Sequence, residues 1–575
     1  MGVPGFFAWI LRKFRNKILL PQLPSNPEYL YIDANCLFHP ECFKILDYFI
    51  DETNVDTLED KMFRRIINYL DYLENFIQPK QMMYISVDGT APLAKIGQQR
   101  KRRFKSIMDI KMKNDIKLKH NIRFNECWNN TVITPGTEFM EKLHRRLYDH
   151  YNRKKTKINY ILSSYHTSGE GEHKILQHIK KHTKNGEPIV VYGLDADLIF
   201  LTMASRRNNI YLLREETHFG KAPDVELLDP VTDVAQHLIF VSINETKRAY
   251  NSEIVRMIEN NRNINVKVND DINFADDLIF ICFLLGNDFL PHFPSIDIHR
   301  GGLDMLIDCY IMALAEYQQL MISFDNNDVP KIEMPMFKYL IKKLGEKEER
   351  HFKYEMENHI RNKERRKCFA NDPYSIEVWE MENLRNITVD DPVKLGSDSA
   401  DLWKFRYYEH YFKTSEHQKQ FVDNLCYLYL EGMMWVTKYY FEQCDDWLWQ
   451  FPYDYAPFIS DIGSFLEISN INMNDIKFDK RNPIPTMVQL TSVLPPQCYN
   501  ILPKDYQQLT TNDKSPIIDM FPKKISIDFL YKDQYWQGIP RVPYLDIERI
   551  IDAIKNKKMS KDELKRSELL NDFKF

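Results

Sequence analysis

The chain has 575 residues, a mass of 68.8 kDa and a formal net charge of −5, with 44% hydrophobic and 13% aromatic residues. This composition excludes a disordered or fibrous chain and leaves room for more than one lobe, each with its own core. The overall charge does not mark a polyanion binder, and no apolar run approaches the roughly 20 residues of a membrane helix.

The start, Met1–Trp9, lacks the charged lead of a secretory signal, and Phe6 stands where a myristoylation motif after Gly2 needs Ser or Thr. Nine cysteines, with no C-x-x-C pair and no Cys/His cluster at zinc spacing, point to reduced thiols in an intracellular compartment. The many Asn, Ile and Lys residues suit an AT-rich coding genome, such as that of a protist or a large DNA virus.

In chain order, Tyr29–Ile32, Met82–Val87, Ile158–Ser163, Pro188–Tyr192 and Ile210–Leu213 read as strands, each a short run rich in Ile, Val and Tyr. Helical patterns lie between them. From Leu58 to Ile77 the apolar stripe is Met62, Ile66, Ile67, Leu70 and Leu73, and a second stripe follows Glu172 through Ile175, Leu176 and Ile179. The alternation predicts an α/β domain with a mainly parallel twisted sheet covered by helices on both faces.

Beyond Lys342 the chain is dense in both charge signs up to Lys367, and the span 342–391 reads as a solvated connector or insertion. From Trp403 it turns aromatic-rich and helical, and the later prolines predict a tail of extended segments and short helices around the body. The expected division is a core built on the predicted sheet over 1–341, the connector over 342–391, and a second region over 392–575 that closes a pocket. There is no internal repeat.

Acidic residues stand where the predicted strands end. Asp33 follows the first and Asp88 the second; Glu170 and Glu172 lie in the loop after the third, and Asp195 and Asp197 after the fourth. Asp288, in Gly-Asn-Asp-Phe, follows an apolar helix that begins near Asp276. Ligands of open α/β sheets bind outside the carboxyl ends of the strands. Singly, such residues are more often caps or turn residues. Gathered, they repel one another unless a cation neutralises them, and an all-oxygen set points to Mg2+ or Mn2+. Seven carboxylates exceed the needs of one such ion, and two ions astride a phosphodiester fit the count.

Between Lys95 and Arg123 lie eleven Lys and Arg against only Asp109 and Asp115. On a helix, Lys95, Gln99, Arg102 and Arg103 share one polar face, a compact fork suited to a terminal phosphate. Arg100, Lys101 and Lys105 read as surface or general backbone contacts.

These residues sit in blocks that resemble the Xrn (Pacman/Rat) family of 5′→3′ exoribonucleases: MGVPGFFAWI, YIDANCLFH, VDGTAPLAKIGQQRKRRF, ITPGTEFM, SGEGEHKI, YGLDADLIFL, LLREE and GNDFLPHFPSIDI. Further matches are YLEGMMWVTKYYF, WLWQFPYDYAPFISDI, VLPPQCYNILP and SPIIDMFP, so the likeness covers roughly Met1–Ala315 and Asp401–Ala553.

The resemblance implies a PIN/flap-nuclease-like fold with a helical, aromatic-rich region wrapped around it. It implies Asp33, Asp88, Glu170, Glu172, Asp195, Asp197 and Asp288 as catalytic metal ligands for two Mg2+ or Mn2+ ions. It assigns the 5′-phosphate pocket to Lys95, Gln99, Arg102 and Arg103, and base stacking to His39 with Trp435 as aromatic partner. Without it, both aromatic residues would read as ordinary cap or core residues.

The implied activity is processive two-metal degradation of decapped, 5′-monophosphorylated single-stranded RNA to nucleoside 5′-monophosphates. The chain would act as a soluble monomer, without membrane contact, downstream of decapping, with the cytoplasm favoured over the nucleus. Cytoplasmic members of the family carry long further C-terminal domains, so this chain reads as a minimal form, and its connector matches the family poorly. Three rival readings are a flap-endonuclease-like DNA nuclease, disfavoured because no helix–hairpin–helix follows Asp288, an inactive RNA-binding scaffold, disfavoured by the intact acids, and a dinucleotide-binding Rossmann enzyme, disfavoured because no G-x-G-x-x-G follows any predicted strand.

Overall fold

The computed structural model describes residues 5–216, 229–260, 272–356, 361 and 365–575, the Glu355 side chain apart. Met1–Pro4 of the N-terminal block and parts of the 342–391 segment lie outside the described residues. Packing groups the chain into two compact units: 16–245 with 482–527 and 540–575, and 1–15 with 246–481 and 528–539. Each unit thus joins stretches that are distant in sequence, whereas the segments 1–341, 342–391 and 392–575 are contiguous runs.

The first of these units is built on an eight-stranded sheet. Its centre is five parallel strands in the order β6 (Ile210–Glu215), β5 (Ile189–Tyr192), β2 (Tyr29–Asp33), β3 (Met82–Ser86), β4 (Asn159–Ser163). These are the five strands expected from the sequence, and the mainly parallel α/β class holds. β7 (Leu238–Ser242) pairs antiparallel with β6, and β1 (Leu19–Leu20) with β7, at one edge. Phe573–Lys574 pairs antiparallel with β4 at the other.

Chain order runs outward from β2 on one side and from β5 on the other. The order in which strands are added therefore reverses between them, and in open α/β sheets ligands bind outside the carboxyl ends at such a switch point. Helix α3 (Val55–Ile77) covers the sheet as its periodicity predicts, burying Leu58, Met62, Ile66, Leu70 and Leu73. Its start is capped by Asn54, whose side chain accepts from the Thr57 amide. Helix α5 (Glu138–Arg153) starts in the same way on Thr137, which accepts from the Met140 amide.

Helix α4 (Leu93–Lys119) begins after Pro92 and carries the basic stretch. The proline-rich tail supplies short helices, Thr486–Val493 and Gln507–Thr511, to this unit. Arg100 is not at the surface as expected. It is 1% exposed, lies over the rings of Phe104 and Phe521, and donates to the carbonyls of Ser492 and Met520. The guanidinium fastens the tail to α4.

The other unit is helical and aromatic. Helices Ala400–Phe412 and Gln418–Phe441 bring Trp403, Tyr407, Tyr408 and Leu425 into a core with Phe352 and Phe458. The charged span after Lys342 begins as the end of the helix Met334–Arg350, where Leu344 is buried. Glu348 is buried too, accepting from Ser295 Oγ and the amides of Ile459 and Ser460. Charge density there coexists with packing. Among the described residues no helix is long and apolar enough to cross a membrane.

Candidate active site

Six of the seven predicted acids belong to the sheet unit. Asp33 ends β2 and is 5% exposed, and Asp88 follows β3 by two residues, half-buried. Glu170 is the N-cap of α6 (Gly171–His182), and Glu172 is in its first turn. Asp195 follows β5, and Asp197 opens α7 (Asp197–Ala204). Asp288 lies in the other unit. It sits on a turn after the apolar helix Ala275–Cys282, tied by Asn287 Oδ1, which accepts from the amides of Phe289 and Leu290 at 2.9 Å each.

The glycines of the acidic loops keep the carboxylates close. A Cβ on Gly171 would lie 2.9 Å from Asp33 Oδ1 and 3.3 Å from Asp88 Oδ1, so both carboxylates converge on this residue. The Gly171 amide itself donates to Asp88 Oδ1 at 2.7 Å. A Cβ on Gly193 would lie 3.5 Å from Asp33 Cβ, which brings the end of β5 against the end of β2. The Asp88 and Glu170 loops are laced by Gly89 N to Gly169 O, 2.9 Å, and Gly169 N to Thr90 O, 2.7 Å. Gly89 admits no side chain, because its Cβ would fall 2.0 Å from Thr167 O.

Electrostatics divide the acids into two groups. Burial, then the charges of Asp88 and Asp195, raise the Asp33 carboxyl well above the usual carboxylate range. Burial, then Asp197, with Glu170 adding and Lys95 opposing, raises Glu172 likewise. Glu172 Oε2 is buried and has no hydrogen-bond partner. Hard oxygen donors, mutual repulsion and a stranded buried carboxylate oxygen suit a divalent cation of the magnesium type.

Among the described residues, no three His, Cys, Asp or Glu side chains form a ready-made metal cage. Two of the acids are engaged elsewhere: Glu170 Oε1 lies 2.5 Å from Lys95 Nζ, and Asp88 accepts from Gly171. A cation would have to compete for them.

The four residues expected to form a phosphate pocket all lie on α4 in the sheet unit. Lys95 is buried, Gln99 and Arg103 half-buried and Arg102 exposed. Arg103 Nη2 donates to Thr134 Oγ1 at 2.6 Å, while its buried Nε and the buried Gln99 Oε1 have no partner. An amide flip would turn the Gln99 acceptor into a donor, leaving two unmet donors for an anion. His39, on α2 (Asn35–Tyr48), feels the charges of Arg103 and Arg102. Burial first, then these two cations, lowers its imidazole to about 4, so it is neutral at pH 7.

Trp435 is placed differently. It lies in the other unit, 1% exposed, stacked with Tyr439 and Trp449 and donating Nε1 to Asp446 O at 2.9 Å. It is packed there as a core residue.

Sequence reasoning assigned no role to several residues that build the site. Lys174, buried, donates to the carbonyls of Val87 at 2.6 Å, Ser164 at 3.0 Å and Thr167 at 3.2 Å. Burial lowers its ammonium to about 8, against the pull of Asp572, Asp88 and Asp33. Arg214, in β6, donates to the carbonyls of Leu194 and Asp195. Gln489 accepts from the Ala91 amide at 2.8 Å and braces the loop between Asp88 and Lys95. Lys174, Arg214 and Thr134 all fall inside the blocks SGEGEHKI, LLREE and ITPGTEFM; that was the only signal they carried.

A family model described as XRN 5′-3′ exonuclease N-terminus matches residues 1–216, and one described as Xrn1 helical domain matches 268–385 and 376–575. The chain is 30% identical over 621 residues to human 5′-3′ exoribonuclease 1, covering 99% of this chain and 35% of that protein. It is 28% identical to the Drosophila melanogaster 5′-3′ exoribonuclease 2 homolog, covering 96% of this chain and 71% of that one. With Saccharomyces cerevisiae 5′-3′ exoribonuclease 1 the identity is 27%, over all of this chain and 44% of the relative. The chain thus spans between about a third and three quarters of the length of these relatives. Matched along nearly its whole length, it belongs to the XRN 5′-3′ exonuclease family.

Proposed function

We propose that the chain is a divalent-metal-dependent 5′→3′ exoribonuclease that degrades decapped, 5′-monophosphorylated RNA processively to nucleoside 5′-monophosphates. The observation that carries this reading is the juxtaposition on one sheet unit of six acids and, joined to them by the Lys95–Glu170 contact, the basic face of α4.

In this reading Lys95, Gln99, Arg102 and Arg103 seat the terminal phosphate. The fork supplies N–H donors to a terminal phosphate, which carries more charge and more free oxygens than an internal one. A neutral His39 stacks on the first base, which tolerates any sequence. A stacking role for Trp435, like the role of Asp288, rests on the resemblance. Asp33, Asp88 and Asp195 would hold one Mg2+ or Mn2+, and Glu170, Glu172 and Asp197 a second; a role for Asp288 rests on the resemblance alone. Such ions, when bound, lower the pKa of a water and neutralise charge on the leaving 3′ oxygen. The carboxylates must be ionised to hold them. Lys174 and Arg214 keep the carboxylate-bearing loops in register through their main-chain carbonyls.

The test offers matched RNAs with 5′-monophosphate, 5′-triphosphate and 5′-hydroxyl ends, and flapped DNA, in Mg2+ and in EDTA. Metal-dependent release of mononucleotides from the monophosphorylated RNA alone is expected. Equal degradation of all three RNA ends would remove the pocket assignment, cleavage of the flap alone would make it a DNA nuclease, and no hydrolysis would leave an RNA-binding scaffold. A stand-alone monomer acting after decapping is part of the same proposal.

A further inference from the structure

The seat for the terminal phosphate and the acidic centre share an ion pair. Lys95, the first residue of the basic face, reaches Glu170 Oε1 at 2.5 Å, and the two side chains are only 9% and 5% exposed. A surface pair of this kind exchanges with water at little cost. A pair this dry does not, because each partner left alone is a buried, uncompensated charge. Glu170 directly precedes Gly171, the residue on which Asp33 and Asp88 converge. Any change of partner at Lys95 is therefore felt inside the acidic centre.

We propose that the Lys95–Glu170 pair couples occupancy of the phosphate seat to divalent-cation binding, so that a 5′-phosphate promotes cation binding and a bound cation tightens the hold on the phosphate. The proposal rests on the reading of the site given above. A lysine ammonium is a point charge on a flexible stem with three donors, and a terminal phosphate dianion is a stronger acceptor than a carboxylate. As Lys95 turns to the phosphate, Glu170 loses a positive partner, and a divalent cation can replace it. In the other direction, a cation at Glu170 releases Lys95 for the phosphate. Linkage requires the two effects to be equal in size. A 5′-hydroxyl end offers Lys95 nothing to exchange for, so end chemistry controls assembly of the reactive centre as well as docking.

The experiment measures Mn2+ binding to chelator-washed protein by titration calorimetry, alone, with adenosine 5′-monophosphate, and with adenosine, and nucleotide binding in EDTA. The nucleotide is expected to tighten Mn2+ binding about fivefold or more, whereas adenosine does not. In EDTA, Glu170→Gln removes the carboxylate charge that Lys95 pairs with and should bind the nucleotide about tenfold more tightly than wild type. Asp195→Asn removes one charge from the same centre without touching the pair and should fall well short of that gain.

Equal gains in the two variants would reduce the effect to general charge removal and overturn the coupling. So would unchanged Mn2+ affinity in the presence of the nucleotide, a comparison that needs only wild-type protein. If wild type still degrades 5′-monophosphorylated RNA, the nuclease reading survives either result. A wild-type chain that binds neither Mn2+ nor nucleotide overturns both.

Discussion

Lys174 Nζ lies 2.6 Å from the carbonyl oxygen of Val87, so an ammonium from α6 is bound to the residue that precedes Asp88. The same nitrogen reaches Ser164 O and Thr167 O, the start of the loop that leads to Glu170. Carbonyls at the ends of parallel strands leave the hydrogen-bond ladder, and buried ones need another donor. Lys174→Met keeps the unbranched apolar stem of the side chain and removes that donor. It should destabilise the protein by about 3 kcal/mol in urea unfolding, since several buried acceptors lose a charged partner. Activity per folded molecule should fall as well, because the loops bearing Asp88 and Glu170 are no longer tied together.

Gly171→Ala separates stability from function. Its Cβ would press on carboxylate oxygens of Asp33 and Asp88, at 2.9 Å and 3.3 Å, and reach the Ser86 carbonyl oxygen only at an ordinary 3.4 Å. Side-chain ends move cheaply, and Ala is favoured over Gly in a helix by up to about 1 kcal/mol. Melting should change little. The displaced carboxylates should lower kcat by about a hundredfold, given the cost of misplaced catalytic groups, as single-turnover kinetics would read.

Metal-free protein should respond to pH in a direction set by Asp33 and Glu172. Both carboxyls are raised in the folded state, Asp33 by burial, Asp88 and Asp195, and Glu172 by burial and Asp197. A raised carboxyl contributes stability that is fully present below its unfolded pKa and is lost as pH rises through its folded pKa. In EDTA, the melting temperature of wild type relative to an Asp33→Asn, Glu172→Gln double variant should therefore fall as pH rises above the ordinary carboxylate range. At neutral pH, added Mg2+ should raise the melting temperature of wild type but not of the variant.

End recognition should depend on Arg102 more through binding than through chemistry. Arg102 is exposed, whereas Arg103 is held by Thr134. If Arg102 seats the terminal phosphate as proposed, Arg102→Ala removes a charge-assisted contact worth roughly 1.5–3 kcal/mol. KM for 5′-monophosphorylated RNA should rise about ten- to hundredfold at nearly constant kcat, with little change for 5′-hydroxyl RNA. Arg100→Ala should instead lower stability, because that guanidinium holds the carbonyls of Ser492 and Met520.

The sequence by itself determined the five parallel strands, the helices α3 and α6, and the placement of acids at strand ends, because these are local patterns of periods 2 and 3.6 with punctuation after them. The convergence of Asp33, Asp88 and Asp195 followed from strand order, which the carboxyl-end rule anticipates without naming neighbours. Tertiary structure alone decided which arginine of Arg100-Lys101-Arg102-Arg103 is buried. The segments that meet α4, around Ser492 and Met520, come from about 400 residues away, and no local pattern reports them. The edge strands β1 and Phe573–Lys574 were invisible for a related reason: two residues are too few to carry a period. Trp435 and His39 shared one role in the family likeness, yet packing buries the first in an aromatic stack and leaves the second beside Arg102 and Arg103. Burial of an aromatic side chain is a property of its surroundings, and these are assembled only when the chain folds.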